Sequence, residues 1–141
     1  MTKEQFLGTW RLISWEIRDS DGNVSYPYGQ DAAGLLIYAP DGYMSGTLTK
    51  PNRPHFAGGD IFGGTLEEQA LATQTYLAYC SRYEIKEKSV LHYVEFSLFP
   101  NWVGMVQERF FEFKDGQLSL STPPMVGQGK QQIAYLIWKR V

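Results

Sequence analysis

Turn signals recur along this chain at short intervals: DSDG at 19–22, APDG at 39–42, LFPN at 98–101, KDG at 114–116 and STPP at 121–124. Gly, Pro, Asn and Asp each lower the cost of reversing a backbone, so such clusters mark chain reversals. The segments between them are short and rich in β-branched and aromatic residues, which suit a pleated surface. The spacing predicts strands at 8–18, 34–39, 42–49, 81–87, 90–98, 105–114, 117–122 and 132–140. Eight short strands joined by tight turns make an up-and-down barrel or a sandwich. In APDGY and FKDGQL, Gly42 and Gly116 take the hairpin position that needs a positive φ.

One segment breaks the two-residue period. TLEEQALATQTYLAYCS at 65–81 carries Leu66, Ala70, Thr73, Leu77 and Cys80 at steps of three and four. Thr65 and Glu68 have the spacing of a capping box. A helix is therefore expected over 65–81, between the third and fourth strands. The stretch before it, KPNRPHFAGGDIFGG, is Pro- and Gly-rich and aperiodic. Loops of that length in a compact domain often serve as lids or binding loops. No repeat, linker or composition break divides residues 1–141, so one domain is expected.

A chain of 141 residues can bury roughly two thirds of its unfolded surface, enough for a core. Net charge is −2, and the basic residues are scattered, which argues against nucleic acid as a partner. One cysteine, Cys80, excludes an internal disulfide and fits a reducing compartment. At the predicted helix end it reads as a packing residue. MTKEQFLG lacks the apolar core of a signal peptide, and no apolar run reaches ~18 residues. The expectation is a soluble cytoplasmic protein without a membrane partner. Two histidines without metal-ligand spacing give no metal site. Phosphate-binding glycine motifs and the GxSxG elbow are missing, so no cofactor is expected.

LGTWRLISWE at 7–16 and YLIWKRV at 135–141 carry a first resemblance. A Gly-x-Trp on the first strand and a late Arg resemble the lipocalin superfamily. There the Trp closes one end of an eight-stranded barrel and the Arg packs across its ring, roles that fall here to Trp10 and Arg140. Further segments, among them YPYGQDAAGLLIYAPDGYMSGTL, VLHYVEFSLFPNWVG, QERFFEF and LSLSTPP, extend the likeness over nearly the whole chain. Together they resemble the short lipocalin-like domain proteins of bacteria and fungi. The resemblance implies an all-β fold, an eight-stranded antiparallel barrel with one helix and an internal cavity. It does not imply a single activity. The stretch AYCSRY departs from the family in lacking a Gly near Cys80 and Ser81.

Alternation of side chains along a strand then assigns faces. With Trp10 inward, Leu12, Ser14 and Glu16 share its face, and Ile13 and Trp15 point outward, where the helix would cover them. The more apolar face of VLHYVEFSLFP brings His92, Val94, Phe96 and Leu98 inside. In MVQERFFEF, Glu108 and Glu112 mark the solvated face, which turns Gln107, Arg109, Phe111 and Phe113 inward. A buried Arg needs a partner, either a carboxylate such as Glu16, Glu84 or Glu95, or an anionic or carbonyl group of a ligand. Tyr38, Tyr43, Tyr79, Tyr83 and Tyr135 offer an apolar body with a polar tip. Trp102, in the connection FPNWVG, is placed near the barrel mouth.

Two functions fit such a barrel. One is a cofactor-free cyclase or isomerase acting on a polyketide- or terpenoid-like intermediate. Arg109 would then polarise a carbonyl, His92 or Glu16 would move a proton, and Tyr38, Tyr43, Tyr79, Tyr83, Phe96, Trp102, Phe111 and Tyr135 would shape the substrate. The other is a carrier of a small hydrophobic molecule, without chemistry. A barrel filled by its own side chains is a third option. A small hydrophobic molecule is the expected partner, and self-association into a homodimer stays open.

Overall fold

Short segments dominated by Val, Ile, Leu and aromatic residues pair with their chain neighbours through tight turns, and the last strand then meets the first. The structure, a computed structural model, describes residues 2–141. A short helix α1 (Thr2–Phe6) precedes β1 (Gly8–Asp19), β2 (Val24–Ser25), β3 (Ala33–Tyr38) and β4 (Tyr43–Thr49). Helix α2 (Leu66–Gln74) leads into β5 (Tyr76–Ile85), β6 (Ser89–Ser97), β7 (Val106–Lys114), β8 (Gln117–Ser121), β9 (Met125–Gly127) and β10 (Lys130–Arg140). All pairings are antiparallel, and β1 hydrogen-bonds β10, with Trp10 opposite Arg140 and Asp19 opposite Gln132. The eight long strands form the closed barrel, while β2 and β9 are short flaps beside β1 and β10. Closure pairs the eight long strands on both sides and leaves as sheet edges only the two short flaps.

The antiparallel path sorts the connections between two ends. The tight hairpins, where Gly42 and Gly116 have φ of 93° and 76°, lie at one end. The long connections β1–β3, β4–β5, β6–β7 and β8–β10 lie at the other.

The hairpin end is sealed from inside. Phe6 of α1 is wholly buried and meets Tyr38, Phe111 and Phe113 edge-on at centroid distances of 5.1, 5.0 and 5.0 Å. Trp10 packs beside it, and its indole N–H donates to the Phe6 carbonyl at 2.9 Å. Arg140 lies across the outer face of Trp10, with Cζ 4.2 Å from the ring centroid. The same guanidinium donates to the carbonyls of Leu7 and Gln5. Gly8 is required here on two counts. Its φ is 116°, and a Cβ would stand 2.8 Å from Arg140 Nη1.

The helix is shorter than its periodicity predicts. The capping box forms, with Glu68 N donating to Thr65 Oγ1 and Thr65 N to Glu68 Oε1 at 3.0 and 2.8 Å. Yet α2 ends at Gln74, and residues 76–80 extend β5, so the strand starts well before residue 81. Tyr76 to Cys80 hydrogen-bond along β4, and this ladder outweighs a weak local helical pattern. No residue of α2 is buried; Leu66 is exposed, and the helix covers neither Ile13 nor Trp15. Polar contacts hold it instead: Arg53 donates to Thr75 Oγ1 and the Ala72 carbonyl, both at 3.0 Å. With β2 counted, α2 lies between β4 and β5 rather than between the third and fourth strands. Cys80, expected to be packed, is exposed on β5 beside Ser45.

Candidate functional site

Between the sealed end and the mouth the barrel encloses a cavity of about 220 Å³. Its wall is mainly apolar, built by Trp15 and Ile17 of β1, Leu36 of β3, Met44 of β4, and Leu120 and Leu136 of β8 and β10. Gly46 opens room on β4: a Cβ there would come no closer than 3.5 Å to the Leu36 side chain, pointing at the cavity rather than at backbone.

Two irregularities decide which residues face this space. β1 and β10 slip in register between Leu12 and Ser14, so Ile13 is an extra residue. Beyond it the faces of β1 exchange. Trp10 and Leu12 point inward as expected, but then Trp15 and Ile17 do, and Glu16 turns out. A one-residue slip inverts every later side chain. Glu16 instead pairs with Arg18 at 3.0 Å, and Arg18 lies over the Tyr135 ring at 4.3 Å. Glu16 and Tyr135 therefore belong to the outer surface, contrary to the simple alternation. A second slip separates Cys80 from Ser81, opposite Glu95 on β6. His92 and Val94 stay buried, whereas Phe96 is 72% exposed and Leu98 also lies at the surface.

The remaining aromatic candidates divide by position. Tyr79 and Trp102 line the cavity, packed edge-on at 5.7 Å with Trp102 near the mouth in a 3₁₀ turn at Pro100–Trp102. Tyr38 is buried just behind the wall. Tyr83 sits lower, and its hydroxyl donates to the Ala39 carbonyl at 2.7 Å. Phe111 belongs to the sealed end, and Tyr43 is exposed. Sequence alternation missed Trp15, hidden by the bulge, and Gly46 and Met44. Trp138 was legible in YLIWKRV, two residues beyond Leu136 on the same face.

The polar centre is small. His92 is 1% exposed and sits between two phenols, with Tyr38 Oη 2.8 Å from Nε2 and Tyr79 Oη 2.7 Å from Nδ1. Burial, helped by the nearby Arg109 charge, pushes its pKa down to about 3, so the imidazole is neutral at physiological pH. Burial also raises the pKa of both phenols, which keeps them protonated. Arg109 reaches the cavity wall, but none of the carboxylates considered for it is its partner. It donates to the Glu108 carbonyl at 2.9 Å and to Gln107 Oε1 at 3.1 Å. Glu84 is held by Tyr93 and Lys86, and Glu95 by Arg82. Trp138 is 3% exposed, and its indole N–H has no hydrogen-bond partner among the described residues. Among the described residues no Asp or Glu lines the cavity, and no cluster of three or more metal-ligating side chains occurs. No helix among them is long and apolar enough to cross a membrane.

The wall thus combines an aliphatic and aromatic lining with a few hydrogen-bond donors, the usual composition of a small-molecule site. Comparison with known proteins agrees. The chain is 36% identical over 107 residues to the 4'-hydroxy-3'-methoxypropiophenone carrier protein ppsC of Aspergillus oryzae (strain ATCC 42149 / RIB 40), a match covering 70% of this chain and 96% of that protein. No solved structure matches it. Residues 7–141 match the family described as the lipocalin-like domain, and the chain belongs to that family.

Proposed function

We propose that the protein binds and carries a small, mainly apolar molecule, about one substituted aromatic ring in size. The observation that carries this reading is the cavity of about 220 Å³, lined by Trp15, Leu36, Met44, Trp102, Leu136 and Trp138. Cavities that take drug-sized ligands span roughly 300–1,000 Å³, so this one suits a smaller guest. The Aspergillus relative is named as a carrier of an aryl ketone, which supports the same class here. We place the protein in the cytoplasm, where its one thiol, the exposed Cys80, would stay reduced.

Carriage is favoured over cyclisation or isomerisation by the proton chemistry of the wall. A general base must take up a proton near the operating pH. Both nitrogens of His92 are engaged, and its pKa of about 3 leaves it a poor base. Glu16, the other candidate, lies outside the barrel with Arg18.

The test uses three of the four tryptophans as reporters, since Trp15, Trp102 and Trp138 line the cavity. Propiophenone should quench their emission saturably. Gly46→Val would place a branched side chain in the cavity without touching its polar groups. It should weaken binding at least tenfold while the thermal midpoint stays within a few degrees. Quenching that never saturates, or that is identical in the variant, would overturn the reading.

A further inference from the structure

We infer that the cavity selects its ligand through a hydrogen-bond acceptor, a carbonyl attached to the apolar ring, which the Tyr79 hydroxyl engages as donor. Tyr38 and His92 act as positioning residues that force Tyr79 into that role. The inference rests on the carrier reading and adds the chemistry by which the site discriminates.

The argument is a count of protons. A neutral imidazole has one N–H and one lone pair. His92 faces a phenol at each nitrogen, so only two arrangements exist. In the first, Nε2 carries the proton and donates to Tyr38, while Tyr79 donates to Nδ1. The Tyr38 O–H then has no acceptor. Tyr38 is 1% exposed, its ring is enclosed edge-on by Phe6 and Tyr83, and His92 is its hydroxyl's one hydrogen-bond partner among the described residues. A buried donor left unpaired keeps the full cost of its lost hydration, which disfavours that arrangement. In the second, Tyr38 donates to Nε2, and Nδ1–H donates to Tyr79. Every proton of the buried pair is satisfied, and the one left over belongs to Tyr79. That residue lines the cavity, where a ligand can meet it. The depressed pKa of His92 agrees with this, because a protonated ring would donate to both phenols and remove the distinction.

Donors predominate in the rest of the polar wall, where only the hydroxyls of Thr47 and Thr122 also carry side-chain lone pairs. Trp138 offers an N–H and can accept nothing, and that N–H is buried without a partner among the described residues. Arg109 has five N–H groups and engages the Glu108 carbonyl and Gln107 Oε1. The Thr122 oxygen accepts from Ala134 N and still has its own O–H to give. A guest that brings an oxygen acceptor gives the Tyr79 hydroxyl a partner. A hydrocarbon of the same shape leaves that hydroxyl unpaired.

The experiment compares two probes of one skeleton, propiophenone and propylbenzene, on the wild type and on Tyr79→Phe. The expected result is that the variant binds propiophenone about tenfold more weakly and propylbenzene equally well, since a net hydrogen bond is of that size. Infrared spectra should show the carbonyl stretch of bound propiophenone at lower frequency in the wild type than in the variant. Long-range proton–nitrogen spectra should show His92 protonated at Nδ1. With only two histidines, His55 and His92, the assignment is direct. Equal weakening of both probes would overturn the donor role and leave the carrier reading standing. Failure of the wild type to bind either probe would remove both. A His92 proton found on Nε2 would overturn the relay whatever the affinities, even if Tyr79→Phe did not fold.

Discussion

The two halves of the barrel interior are built from similar residue types and behave oppositely. In the sealed half, Phe6 meets Phe111 and Phe113 edge to face, Trp10 packs against Phe113 at a tilt, and the polar atom of Trp10 has a partner in the Phe6 carbonyl. In the half toward the mouth, Trp15 and Trp102 border the cavity, and Trp138, part of the buried core, lines it from below with an N–H that has no partner among the described residues. Aromatic content alone therefore does not distinguish a core from a binding site. The difference comes from what fills the axis: the N-terminal helix inserts Phe6 at one end, and at the other Gly46 withholds a side chain. Satisfied, close-packed groups carry stability, while the proposed carrier reading gives recognition to the unsatisfied donors beside the cavity. His92 stands at the boundary between the halves.

Acid should strike that boundary hardest. Below pH 6.5 an unfolded His92 takes up a proton that the folded protein refuses until about pH 3, so acid favours unfolding. Its facing groups are Tyr38, Tyr79 and Arg109, and none of them offers a negative charge to oppose this. The contribution is absent above pH 6.5, grows by about 1.4 kcal/mol per unit as pH falls, and levels off below pH 3 at on the order of 5 kcal/mol. Urea unfolding from pH 7 to pH 4 should show this slope in the wild type and a shallower one in His92→Gln. Equal slopes would mean that His92 titrates normally.

Phe6→Ala tests the sealed half. It removes a wholly buried ring with three aromatic neighbours and should cost about 3–5 kcal/mol in urea unfolding. Propiophenone affinity of the folded fraction should change less than threefold. A large loss of affinity with little loss of stability would show that the two halves are not separable. Gly46→Val should give the reverse pattern, so the pair of variants separates stability from recognition.

How much of this was legible in the sequence differs by level. The barrel was readable because turn residues and strand residues alternate along the chain, and because Gly8, Trp10 and Arg140 act as a recognisable unit. The inward turn of His92 and Arg109 followed from strand alternation, since β6 and β7 are regular up to those positions. Glu16, Tyr135 and Phe96 were misplaced. Ile13 and Glu95 are ordinary strand residues, and nothing local marks them as bulges. Register comes from pairing with distant strands, which a single segment does not encode. The length of α2 failed similarly, because the ladder between β4 and β5 claimed residues that read equally well as helix. The His92 triad was invisible, since Tyr38 and Tyr79 are 54 and 13 residues away from it in the chain.

The smallest predicted effect bears on the register itself. Glu16→Ala removes a partly exposed carboxylate from an ion pair with Arg18 on the barrel's outer face. Such pairs contribute about 0.2–1 kcal/mol, and Arg18 keeps its contact with the Tyr135 ring. Stability should therefore fall by less than about 1 kcal/mol. Propiophenone binding should stay within twofold of the wild type, because the side chain and the cavity lie on opposite sides of the strand. The result discriminates sharply, since without the bulge at Ile13 the same residue would point inward, two positions along from Ser14. An inward Glu16 would place a carboxylate beside the ligand, and its removal would change affinity by tenfold or more. Small stability and affinity changes together would fix the slip between Leu12 and Ser14 as the feature that gives this barrel Trp15 in its wall and keeps carboxylates out of its cavity.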